Sequence, residues 1–153
     1  MSRVAFTIFG EPASKANSRQ IVTIADRPSV IKSKKARDYE HDALRQIPSA
    51  ARLRLDVPVR VTLRIWYATQ RPDLDESVVL DVLQDRYASR KTSGGDKERV
   101  LVQHGVYRND RQVREKHVFH AIDRANPRTE VIVEPLLAQQ ADLLAPAEEE
   151  AAF

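Results

Sequence analysis

Between Val57 and Tyr67 an apolar residue falls at every second position: Val57, Val59, Val61, Leu63, Ile65 and Tyr67, with Arg60, Thr62, Arg64 and Trp66 among those between them. Alternation over this length is the period of a β-strand, whose successive side chains point to opposite faces. One face of this strand must therefore go to a core.

The neighbouring segments can be read against that strand. Val4 to Phe9 alternates as a first strand and stops at Gly10-Glu11-Pro12. Gln20 to Ile24 and Ser29 to Ile31 form a short hairpin across Ala25 to Pro28. Ala36, Tyr39, Ala43, Leu44 and Ile47 keep a helical period after Ser33, a residue suited to capping, and Pro48 ends that helix. A second helix follows Arg71-Pro72. The polar, Gly-containing run from Ala88 to Gly105 is expected to be a flexible loop. Strands are expected from about Gln112 to Ile122 and from Thr129 to Leu136, with a turn at Arg108-Asn109-Asp110. The order is strand, hairpin, helix, strand, helix, two strands, which predicts one α+β domain, a mixed β-sheet carrying two main helices.

The 153 residues are 42% apolar and 31% charged, the balance of a globular domain with a core of its own. There is no cysteine, so disulfides, thiolate zinc sites and cysteine nucleophiles are excluded, and any metal must be held by oxygen or histidine. No apolar run reaches the ~18 residues of a membrane span, and the start MSRVAFTIFGEP turns polar too soon for a secretory signal, so the expectation is a cytoplasmic protein with no membrane partner. The last thirteen residues, 141–153, hold four of the 22 acids and no base, and are expected to form a disordered acidic tail. Residues 1–140 then carry 25 Lys and Arg against 18 acids, a balance that suits a polyanionic partner such as nucleic acid.

Within RPDLDESVVLDVLQDRY, residues 71–87, helical spacing puts Asp75 on the same stripe as Val78, Val79, Val82 and Leu83. A carboxylate facing a core needs a cation, a metal or a ring of donors. Asp73, three residues before Glu76, has the spacing of a capping box. Asp73 and Asp75 at one helix start could also converge on a hard cation, Mg²⁺ or Mn²⁺. Asp81 falls on a solvated flank, and His117 and His120 point to opposite faces of a strand, which argues against a histidine metal site. Lys34 and Lys35 oppose the dipole of the first helix, a cost that bound phosphate would reverse; with Lys32 and Arg37 they could equally form a solvated face.

GEPASKANSR at 10–19, RPDLDESVVLDVL at 71–83 and GVYRNDRQV at 105–113, in that order, resemble the RusA family of Holliday junction resolvases, with similarity over about residues 4 to 136. The resemblance implies a RusA-like nuclease domain over 1–140 acting as an intertwined homodimer. It implies a metal site of Asp73, Asp75 and Asp110, and Mg²⁺-dependent hydrolysis of phosphodiesters in four-way junctions or other branched DNA. Lys15, Arg19, Lys34, Lys35 and Arg37 are the expected DNA contacts. The chain departs from the family pattern in having Glu76 for Asn, Val79 for Lys and Asn109 for the first acid of an Asp-Asp pair. Lys15, Lys97 or Lys116 could stand in for the missing lysine. The alternative is a RusA-like protein that binds branched DNA with catalysis impaired; a third reading is an assembly protein that uses only its dimer surface.

Overall fold

The computed structural model describes residues 3–14, 17–71 and 73–136. Its centre is the alternating segment: β4 (Val59–Tyr67) buries Val59, Val61, Leu63, Ile65 and Tyr67 and turns the intervening residues outward. β4 has neighbours on both sides, in a four-stranded sheet ordered β1 (Val4–Phe9), β8 (Arg128–Pro135), β4, β7 (Val113–Ile122). β1–β8 and β8–β4 are antiparallel, whereas β4–β7 is parallel, so the sheet is mixed as expected. The parallel pair needs a long crossover, and the 45 residues between β4 and β7 carry the second helix and a hairpin.

Helix α1 (Lys34–Gln46) begins at Ser33, whose Oγ accepts from the Ala36 N–H at 3.1 Å. That bond satisfies one of the four unpaired donors of the first turn and stabilises the helix by about 1 kcal/mol. Tyr39 and Ala43 are buried in the core, with Ile47 just past the helix end, and Ala36 is buried on the same side of the helix. Helix α2 (Ser77–Val82) lays Val79 and Val82, followed by Leu83, into the same core. The result is an α+β domain with a mixed sheet and two main helices. Among the described residues no helix is long and apolar enough to cross a membrane.

Two expectations are corrected. Residues 88–105 are not a loop: β5 (Arg86–Lys91) and β6 (Lys97–Gln103) pair as an antiparallel hairpin. Its side chains are largely exposed on both faces, so neither face has the apolar alternation that marks a half-buried strand. Asp75, in turn, is not on the apolar stripe of a helix, because α2 starts only at Ser77. The other hairpin, β2 (Arg19–Ile24) and β3 (Arg27–Lys32), is tighter than the turn read from sequence. Its two turn residues, Ala25 and Asp26, both have positive φ, 50° and 59°, as a two-residue connection with the native strand twist requires.

Candidate functional site

The chain between β6 and β7 is held against the end of α2 by a set of backbone bonds. The Leu83 carbonyl accepts from the N–H of Val106 at 2.7 Å, and the Tyr107 hydroxyl donates to the Leu80 carbonyl at 2.7 Å. Burial pushes the Tyr107 hydroxyl well above the usual tyrosine range, so it stays a neutral donor. Close approach here requires Gly105: a Cβ at that position would stand 2.3 Å from the Gln84 carbonyl carbon. The fully buried Asp85 carboxylate closes the clip, accepting from the Gly105 N–H at 2.8 Å and from Arg54 Nε at 2.8 Å. The turn that follows is a 3₁₀ turn at Asp110–Gln112, capped by Asn109, so Asp110 is delivered beside α2.

At that place β2, β3, α1, α2 and the Asp110 turn enclose a pocket of about 580 Å³. Four carboxylates line it, Glu40, Asp75, Asp81 and Asp110, together with the cations Arg19 and Lys32. Lys32 Nζ lies 2.7 Å from Glu40 Oε2 and 2.7 Å from Asp81 Oδ2. The other Glu40 oxygen is paired with Arg86, so this buried carboxylate is held between two cations. Gln84 extends the chain of contacts, donating from Nε2 to Asp81 at 2.7 Å and accepting from the Asp110 N–H at 3.2 Å.

Asp75 lines the pocket from just before α2. Its carboxylate accepts from the Ser77 N–H at 3.0 Å and from Ser77 Oγ at 2.8 Å, which stops it rotating away and satisfies a donor at the helix start. The N-cap position of α2 is Glu76, which makes no side-chain cap bond, so Asp73 does not cap this helix as its spacing to Glu76 predicted. The Tyr67 hydroxyl lies against the Asp75 backbone, and burial pushes it up to about 12. Next to Asp75, Glu76 pairs with Lys116 of β7 at 2.6 Å. Burial works to raise the Glu76 carboxyl, but the Lys116 ammonium outweighs it and holds Glu76 below its ordinary value.

Of the expected metal ligands, Asp75 and Asp110 share the pocket, while Asp73, half-buried in the same lead-in segment, does not line it. Among the described residues no three acidic or histidine side chains converge as a metal-binding group. The donor set nevertheless suits Mg²⁺ or Mn²⁺. It is carboxylate throughout, and Mg²⁺ is commonly bound by one or two carboxylates plus substrate phosphates.

Of the expected DNA contacts, Arg19 lines the pocket; Lys34, Lys35 and Arg37 are exposed on the first turn of α1 and do not. Lys34 already pairs with Asp38 at 2.7 Å, so it does not oppose the helix dipole unaided. Lys15 lies outside the described residues. Three residues gain weight. Asp81, assigned from sequence to a solvated flank, and Lys32, read only as part of a basic run, meet inside the pocket. Glu40 was legible by the reasoning applied to Asp75, since it lies on the stripe of Ala36, Tyr39 and Ala43. No protein-family model matches the chain, and no curated protein matches it at a significant level.

Proposed function

We propose that the protein is a metal-dependent, structure-specific endodeoxyribonuclease of the RusA type that hydrolyses phosphodiesters in Holliday junctions or other branched DNA. The observation that supports this most is that Asp75 and Asp110, 35 residues apart, line one pocket together with Arg19 and Lys32. Hard oxygen donors and cations side by side are what phosphodiester hydrolysis requires: one set for the metal, the other for the substrate's charge. In this reading Asp75, oriented by Ser77, and Asp110, placed by the Tyr107 anchor, are the ligands. A bound Mg²⁺ or Mn²⁺ supplies an activated water and charge at the scissile phosphate. Lys32 takes the role of the lysine that the resemblance expects at Val79. Its ammonium can turn from Asp81 toward a phosphate oxygen while Asp81 keeps its bond to Gln84.

A homodimer belongs to this reading, since two-fold symmetry in the protein matches that of a four-way junction. Among the described residues β7 is a ten-residue edge of the sheet, paired on one side with β4, and an edge of that length suits pairing with a second copy. The second reading, a branched-DNA-binding protein without catalysis, draws on Val79, which is fully buried at the place where the resemblance has a catalytic lysine. Incubation of a labelled four-way junction with the protein in Mg²⁺, Mn²⁺ or EDTA separates the two. Paired nicks in either metal and none in EDTA support the endonuclease; tight binding without nicks in any condition supports the second reading.

A further inference from the structure

The β5–β6 hairpin is a segregated structure. In its register Tyr87 stands opposite Leu101, Ser89 opposite Arg99 and Lys91 opposite Lys97, so these six side chains share one face. That face carries three cations and no carboxylate. On the other face Ala88 is opposite Val100 and Arg90 opposite Glu98, with Arg90 neutralised by Glu98 at 2.9 Å. Like charges directly across a ladder are destabilising, so the Lys91–Lys97 pair costs the free hairpin stability that an anion between them would return. Arg99 is stacked over the exposed Tyr87 ring at 3.9 Å, presenting a flat cationic surface rather than a folded-away side chain. The face is also joined to the acidic pocket. A second pocket of about 390 Å³ shares Lys32 and Asp81 with the first; Tyr87, Ser89, Lys97 and Arg99 of this face line it, and Asp85 and the Arg90-paired Glu98 also stand in its wall.

We propose that the Lys91, Lys97 and Arg99 face of this hairpin is a second nucleic-acid contact, which grips the sugar-phosphate backbone of a DNA arm leading away from the pocket. The inference rests on the endonuclease reading for the choice of DNA, and on charge, register and the shared pocket wall for the surface itself. A phosphate chain running from Lys32 past Arg99 to the Lys91–Lys97 pair meets a cation at each stage. The Arg99–Tyr87 stack adds a platform for a sugar or an unpaired base.

The test is the salt dependence of binding, measured by fluorescence anisotropy with a labelled four-way junction in EDTA so that no cleavage intervenes. Three proteins are compared: wild type, the triple variant Lys91→Ala/Lys97→Ala/Arg99→Ala, and Arg90→Ala/Glu98→Ala, which alters the opposite face without changing net charge. With about 0.9 in the slope of log K against log salt for each neutralised phosphate, the triple variant should lose about 2 to 3 from the slope and at least tenfold in affinity at low salt. The opposite-face variant should match wild type. The triple variant removes a like-charge pair and uncovers no core, so its melting temperature should equal or exceed that of wild type. An unchanged slope in the triple variant would overturn the proposal, as would equal weakening in the opposite-face variant. So would a wild type that binds phosphatidylserine vesicles through these residues but not DNA. A lost slope in a protein that never nicks DNA would leave the hairpin surface standing and remove the endonuclease; nicking with an unchanged slope would do the reverse.

Discussion

Glu40 is the residue on which the pocket's electrostatics turn, because a buried carboxylate on the apolar side of α1 is tolerable only with Lys32 and Arg86 beside it. Replacing Glu40 by Ala leaves both cations without that partner, and the partial exposure of both cations moderates the cost to about 1 to 3 kcal/mol. Urea denaturation should show the unfolding free energy falling by that amount, with a lower midpoint, whereas an unchanged midpoint would mean the cations are held by solvent alone. Glu76 gives the pH counterpart. Its carboxyl is held below the ordinary value of 4.5 in the folded protein, so the stability it contributes is complete above pH 4.5 and is lost as the pH falls through the lower folded value. Glu76→Gln should therefore narrow the difference in stability between pH 7 and pH 3, as read by thermal melts; an identical acid profile would remove the Lys116 pairing as its cause.

The clip between α2 and the β6–β7 connection is what ties the core to the site. Gly105→Ala must push the backbone away from Gln84, disturbing the bonds of Val106 and Tyr107 that deliver Asp110. A loss of about 3 kcal/mol is expected, the range of substitutions that force a buried backbone to move. A melting temperature within a degree of wild type would show that the two backbones can separate at this point without cost. The elements themselves divide by how much of their period reaches the core. β4, β1, β8 and α1 were legible because burial on one side imposes alternation or a helical stripe. β5 and β6 were not, since their stability comes from cross-strand bonds and a turn at Thr92 and Gly95 rather than from burial. The start of α2 is not legible for a related reason: Asp75 has the spacing of a helical residue but accepts from Ser77, which ends the lead-in instead of continuing it. Asp75 and Asp110 could be named from motifs, but Asp81, Glu40 and Lys32 meet only because the end of β3 brings the Lys32 ammonium between side chains of α1 and α2, a long-range event that local periodicity does not encode.

The molecule presents an acidic pocket walled by the β2–β3 hairpin and the two helices, with β7 at the edge of the sheet among the described residues and a basic net charge over residues 1–140. If β7 pairs with a second copy, sedimentation equilibrium should return about twice the chain mass of 17.4 kDa at micromolar concentration. A monomer up to the concentration at which DNA is nicked would take the dimer out of the proposal. Asp110 decides what the pocket is for. If the pocket is the proposed nuclease site, Asp110 is a metal ligand whose carboxylate repels phosphates, so Asp110→Asn should bind a four-way junction as tightly as wild type or more tightly while holding the metal less well. Binding and nicking of a labelled junction, measured separately in Mg²⁺ for wild type, Asp75→Asn and Asp110→Asn, should give equal or higher affinity with cleavage lowered at least a hundredfold in both variants. Wild-type cleavage in either variant, or affinity lost in step with cleavage, would contradict the placing of the reaction in this pocket.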